Sequence, residues 1–296
     1  MSGPLLIADV PWLLYRSYFA LPKSITGSDG RPVNALLGTV NAILAVIESS
    51  DVPIRAVAAC MGAEEATYRV ELYPPYHAHR EPMPPELRAQ WELAPALLHS
   101  MGWTFATSDE LEADDLMFSF ARVEAEQGGT ALLQSGDRDM YGAVSPEVSV
   151  VTVRRGEPLS LIGPEQVLDI YGIEPEQVPD LIALRGDPSD GLPGAPGVGA
   201  KTAAGLLAEH RTLEAVLAAA AERLSGAGPT SMRPKIAQAL SENAGLLADF
   251  KHIATLQRVR VKRPADAATN FAGGAAAAAE LGMGRLSERL GKLATA

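Results

Sequence analysis

Eight acidic residues stand at the ends of apolar runs in the first 190 positions of this chain, and that placement restricts the folds open to it. Asp9 closes LLIAD, and Glu112, Asp114 and Asp115 open EADDLMFSFA. Asp137 and Asp139 follow TALLQSG, and Asp187 and Asp190 lie in RGDPSDGLPG. Leu5–Asp9, Ile54–Met61, Trp103–Thr107, Thr130–Ser135 and Val148–Val153 read as strands, interleaved with helical patterns such as Asn34–Ser50 and Glu112–Glu126. That alternation predicts an α/β fold with a mostly parallel central sheet flanked by helices. Ligands collect at the carboxyl ends of such strands, so folding is expected to gather these acids. One Asp after a strand is ordinarily a turn residue or helix cap. Eight together repel one another unless a counter-charge is present. All-oxygen ligands suit Mg²⁺ or Mn²⁺, and two such ions about 4 Å apart serve in-line phosphodiester hydrolysis.

The charge balance bears on the partner. A net charge of −11 argues against nucleic acid, but removing the eight gathered carboxylates leaves −11 + 8 = −3. The total is then compatible with nucleic-acid binding, with weak and salt-sensitive affinity for plain duplex. Cys60 is the sole cysteine, so no intramolecular disulfide can form. The N-terminus lacks a secretory pattern, and no apolar stretch approaches the ~20 residues of a membrane span. The expectation is a cytoplasmic protein without membrane association.

The alternation breaks at residues 67–91, a proline-rich excursion in which Tyr68, Tyr73 and Tyr76 interleave with Arg69, His77, His79 and Arg80. These side chains offer stacking faces and phosphate donors for a single strand; a surface loop with ordinary tyrosine packing is the alternative. Zinc at His77 and His79 lacks further ligands nearby. From Gly163 onward, short helices are joined by Gly/Pro turns. GAPGVGAKTA is not a Walker A loop, because an alanine separates Gly199 from Lys201. Backbone N–H groups at Gly197 and Gly199, with Lys201 and Thr202, suit a helix-hairpin-helix grip on a phosphate backbone; a plain helical corner is the alternative. The expected organisation is a core over 1–162 including the excursion, a helical DNA-binding subdomain over 163–264, and an Ala-rich, helical tail over 265–296.

With LLYRSYFALP after Asp9, DGRPVNAL, YRVELYPPYHAHR, LEADD, SGDRDM and RGDPSDGLPGAPGVGAKTA in this order, the chain resembles the 5′-nuclease family. That family includes flap endonucleases, phage 5′-exonucleases and the nuclease domain of bacterial DNA polymerase I. The resemblance implies a PIN-like core that cuts DNA at 5′ flaps or 5′ ends, in replication or repair, with a DNA polymerase as partner in trans. It implies one ion at Asp9, Glu112, Asp114 and Asp115, and a second at Asp137, Asp139, Asp187 and Asp190. The excursion would be a helical arch, with His77 and Arg80 at the catalytic end and Arg16, Arg69 and Tyr76 on DNA. A K⁺ ion would sit at the helix-hairpin-helix.

Three departures from the family pattern are present. Gly62 stands where the family has a carboxylate, with Glu64 or Glu65 as nearby substitutes; His77 replaces the arch lysine; and Val10-Pro11 replaces Gly-Asn. A homologue that binds flapped or branched DNA with little catalysis is therefore the competing expectation.

Overall fold

The computed structural model describes residues 3–153, 158–227 and 231–295. β1 (Leu5–Asp9) runs without a break into α1 (Val10–Ala20), because Asp9 caps the helix and Pro11 occupies its first turn, where a missing N–H is harmless. α2 (Asn34–Ser49) and β2 (Ala56–Met61) follow, then α3 (Thr67–Leu72) and α4 (Pro85–Ser100). β3 (Thr104–Thr107), α5 (Ala113–Glu126), β4 (Ala131–Gln134) and β5 (Val148–Thr152) complete the parallel set. A short antiparallel edge strand, β6 (Ser160–Ile162), was not anticipated from sequence.

Strand order is β3-β2-β1-β4-β5-β6, with β1 central. Leu5 aligns with Ala56 on one side and Ala131 on the other. The carboxyl ends of β1, β2 and β4 therefore share one edge of the sheet. Successive strands are added to one side of β1 and then, from β4, to the other, so the winding reverses between the parallel β1 and β4, the kind of crevice where α/β proteins place ligands. Successive β1 side chains feed two cores. Leu5 and Ile7 pack with α5 and the later helices, whereas Leu6 and Ala8 pack with α1, α2 and α4. Burial on both faces explains an unbroken apolar run where a one-sided strand would alternate.

The helical part comprises α6 (Pro164–Tyr171), α7 (Val178–Arg185), α8 (Ala200–His210), α9 (Leu213–Leu224), α10 (Pro234–Glu242) and α11 (Ala244–Ala254). The chain then returns to the α/β layer along α5. Gln257 N donates to Asp115 Oδ1 at 2.7 Å, Val259 N to Ser119 Oγ at 2.9 Å, and Ala267 N to the Arg55 carbonyl at 2.8 Å. α12 (Phe271–Glu280) and α13 (Gly284–Leu293) bury Ala278, Leu286 and Leu290 in the core that α1, α2 and α4 share. The described part of the tail, through residue 295, is thus packed against the α/β layer. The excursion at 67–91 consists of α3, a turn and the start of α4.

Candidate active site

At the carboxyl edge of the sheet lies a cavity of about 560 Å³ whose lining includes Asp9, Glu112, Asp114, Asp137, Asp139 and Asp190. Asp9 arrives from β1, Glu112 and Asp114 from the entry to α5, Asp137 and Asp139 from the turn after β4, and Asp190 from the turn between α7 and α8. Among the described residues no three Asp, Glu, His or Cys side chains close into a ready ligand cage; the acids face a shared space.

Their protonation shows strong crowding. Burial pushes the Asp9 carboxyl up to about 6, against hydrogen bonds from Ser135 and Trp12, with Asp137 and Glu112 adding repulsion. Asp114 is raised well above the carboxylate range by burial, then by Asp137, Asp9 and Glu112. Burial likewise raises Asp137 and Asp139, with Asp190 and Asp187 adding to both. Hard oxygen donors that destabilise one another's charge are the donor set a divalent cation relieves.

Not every predicted acid is free for such a role. Asp9 is anchored at both oxygens, with a lone pair left on each: Trp12 N donates to Oδ1 at 3.0 Å and Ser135 Oγ to Oδ2 at 2.6 Å. Ser135 also accepts from Asp137 N at 3.0 Å, tying the two acidic turns together. That serine was missed in the sequence, where its one signal is its place directly after a strand. Asp115 departs from expectation. It is 0% exposed, absent from the cavity lining, and held by Arg69 at 3.3 Å and Gln257 N. On a helix, adjacent residues point about 100° apart; here Asp114 faces the cavity while Asp115 turns to Arg69, its Oδ2 buried without a partner. Asp187 is also outside the lining, its Oδ1 accepting from Ser189 N at 2.8 Å.

Gly62 is more than an absent carboxylate. A Cβ there would lie 2.3 Å from the Leu111 carbonyl oxygen and 2.5 Å from Ala113 N. The chain entering α5 fills the space a side chain would need. Glu64, the possible substitute, pairs with Arg88 at 2.8 Å. Glu112 accepts from Ala66 N at 2.9 Å and Tyr76 Oη at 3.1 Å and pairs with Arg69 at 2.9 Å.

The excursion residues sit differently from the solvent-facing surface read in the sequence. Arg69 is 4% exposed and Tyr76 3% exposed, and both form part of the cavity wall. His77 has φ +56° and is 2% exposed; its Nε2 lies 3.0 Å from Asp190 Oδ1, and its ring stacks on Tyr76 with centroids 3.8 Å apart. A left-handed backbone at a non-glycine residue persists only where its surroundings hold it. Arg80 lies at the rim, partly exposed and 3.1 Å from Asp190. Arg16 is exposed above the Trp12 ring at 5.1 Å. Gly197, Gly199 and Lys201 are exposed and Thr202 is half-buried at the start of α8, whose N-cap Gly199 contributes no side-chain cap. Its first N–H groups are left for an outside acceptor.

Residues 4–172 match the family described as 5′-3′ exonuclease, N-terminal resolvase-like domain, and residues 173–270 match 5′-3′ exonuclease, C-terminal SAM fold. The 5′-3′ exonuclease of Mycobacterium tuberculosis is 38% identical over 244 residues, 75% of this chain and 76% of that protein. The thermostable DNA polymerase I of Thermus thermophilus is 35% identical over 263 residues, 89% of this chain but 29% of the polymerase. The chain therefore spans less than a third of that relative. Among solved structures, the bacteriophage T5 D15 flap endonuclease in a pseudo-enzyme-product complex with DNA and metal ions has a TM-score of 0.65 at 18% identity, covering 99% of this chain and 100% of that one. The catalytic core of Rad2 in complex with DNA substrate has a TM-score of 0.64 at 11% identity, covering 98% of this chain and 91% of that one. At such identities the two structures speak for the fold. No helix among the described residues is long and apolar enough to cross a membrane. Family profiles over nearly the whole chain and 38% identity across three quarters of a 5′-3′ exonuclease make this chain a member of the 5′-3′ exonuclease family of metal-dependent nucleases.

Proposed function

We propose that this protein hydrolyses DNA phosphodiester bonds at 5′ flaps or 5′ ends with two divalent ions, Mg²⁺ or Mn²⁺. The observation that carries the reading is the convergence of Asp9, Glu112, Asp114, Asp137, Asp139 and Asp190 from four separated segments on one cavity, which Glu64, Glu65 and Glu81 also line. Glu112 and Asp114, with Asp9 behind them, would hold one ion; Asp137, Asp139, Asp190 and the adjoining Asp187 would hold the other. Bound ions would supply Lewis-acid activation of water and neutralise charge on the phosphate. The protein's own share is positional. Arg80 and Arg16 draw phosphates to the rim, and His77 fixes the turn that carries Asp190. The open N–H groups of α8, with Lys201 and Thr202, would grip a duplex phosphate. K⁺ at Gly197 and Gly199 belongs to the same reading, as does a DNA polymerase acting in trans.

A second reading has its own support. With Asp9 tied to Trp12 and Ser135, Glu112 paired with Arg69 and no room for a side chain at Gly62, the first ion site lacks one carboxylate and has two others held by protein partners. That pattern favours a protein that binds flapped DNA and cuts it slowly. A labelled 5′-flap duplex at pH 7.5, incubated without metal, with Mg²⁺ or with Mn²⁺, separates the two. Metal-dependent cutting that Asp137→Ala abolishes supports the nuclease. A gel shift with no cutting under any metal supports the binder.

A further inference from the structure

Arg69 and Arg80 both line the carboxylate cavity, and they are held in opposite ways. Arg69 is buried, pairs with Glu112 at 2.9 Å and Asp115 at 3.3 Å, and donates from Nε to the Ile253 carbonyl at 3.0 Å. With three anchors it is a fixed part of the wall. The Arg80 side chain is 46% exposed; it reaches Asp190 Oδ1 at 3.1 Å, and its second contact, the Ser189 carbonyl, is long at 3.4 Å. Asp190 keeps its place without that arginine. His77 Nε2 lies 3.0 Å from the same Oδ1, and His77 N donates to the Asp190 carbonyl at 3.2 Å. A Cβ on the next residue, Gly191, would sit 3.1 Å from the Pro75 carbonyl oxygen, so the two turns are pressed together along their backbones. What Arg80 supplies is charge. Burial raises the Asp137 carboxyl and Arg80 opposes the rise, so one guanidinium offsets repulsion at two acids. A divalent ion held by those acids would do the same work with twice the charge and repel the guanidinium beside it. An exposed ion pair is held weakly enough to yield.

We propose that Arg80 is a displaceable counter-ion of the second ion site: it neutralises Asp190 and Asp137, gives way when a divalent ion takes up their charge, and is thereby freed for a phosphate of the bound strand. The inference rests on the nuclease reading above and adds a coupling to it. Arg80 cannot serve Asp190 and a phosphate at once, so loading of the acids and capture of the strand favour each other through this one side chain. By reciprocity, a bound strand raises affinity for the ion by the same factor. Arg69, anchored on three sides, takes no part in the exchange.

The test uses the full chain with Asp114→Asn, which removes one crowded charge, disables the first ion site and leaves the second to be measured. Mn²⁺ binding is followed by calorimetry without DNA. Adding Arg80→Gln, at an exposed position that leaves the fold intact, is expected to tighten Mn²⁺ binding about fivefold, the worth of a partly exposed ion pair. Binding of a 5′-flap duplex is then titrated with salt, with and without Mn²⁺. Each phosphate contact adds about 0.7–0.9 to the slope of log K against log salt. With Mn²⁺ the chain that keeps Arg80 is expected to have the steeper slope by about that amount; without Mn²⁺ the two slopes are expected to match. Mn²⁺ affinity unchanged by Arg80→Gln, or a slope difference that is the same with and without Mn²⁺, overturns the proposal while leaving the nuclease reading intact. No Mn²⁺ binding by the chain with Asp114 in place overturns both.

Discussion

Restoring a carboxylate at position 62 is expected to damage this protein rather than repair it. An ideal Cβ at Gly62 would lie 2.3 Å from Leu111 O, 2.4 Å from the carbonyl carbon of Glu112 and 2.5 Å from Ala113 N. All three are backbone atoms, so no rotamer change relieves the contact, and the entry to α5 has to move. Overpacking of this kind costs about 1–3 kcal/mol. For 296 residues, unfolding entropy near the midpoint is roughly 0.6 kcal/mol/K, so that cost is worth about 2–5 °C in melting temperature. Gly62→Ala should melt that much lower. Gly62→Asp should melt at least as low and also cut more slowly, because Glu112 and Asp114 are carried on the displaced segment. The assay is thermal unfolding by circular dichroism beside flap cleavage in Mg²⁺. A Gly62→Asp protein as stable as the parent and faster at cleavage would refute the reasoning. It would show that the 111–113 backbone yields and that only a ligand was missing.

Further expectations concern pH, charge and capping. Asp9 titrates near 6 when folded, mainly through burial, and near 3.9 in an unfolded chain. The folded form therefore holds the proton more tightly, and stability falls as pH rises from about 4 through 6, by about 3 kcal/mol for this group. The metal-free protein should melt lower at pH 7.5 than at pH 4.5, and saturating Mg²⁺ should narrow the gap; a flat metal-free profile would contradict it. Glu124 is fully buried between Arg55 and Arg263. Arg55→Met should cost about 3–5 kcal/mol in urea unfolding by leaving that charge under-compensated, and an unchanged midpoint would refute it. Gln90 on α4 accepts from Ala35 N at 2.7 Å and Leu36 N at 3.3 Å, capping α2, whose own N-cap Val33 offers no side chain. Gln90→Leu orphans those buried N–H groups and should cost about 2 kcal/mol or more, read from the same unfolding curves.

Most of the fold was legible because both periodicities were strong. The runs at Leu5–Ala8 and Ala131–Leu133 are apolar throughout, as suits strands buried on both faces, and the strand edges fell within two residues of expectation. β6 escaped notice because three residues at a sheet edge carry no pattern. The acids at strand ends were legible too, since a parallel sheet sends every carboxyl end to one edge whatever the details.

What the sequence by itself determined is which segments build the site and what charge they bring. Only the tertiary structure decided which partner each group meets: Asp115 turned onto Arg69, Asp9 tied to Trp12 and Ser135, Arg69 and Tyr76 buried in the cavity wall, and Gly62 closed by the α5 entry. It also set Trp12, Tyr15 and Phe19 beside the acids and brought the Ala-rich C-terminal segment into the core. The physical reason is separation along the chain. Periodicity and capping are local and show in a window of residues. Which partner a carboxylate meets depends on contacts such as Arg69 with Asp115 or Ser135 with Asp9, whose members lie far apart until folding closes the loops between them.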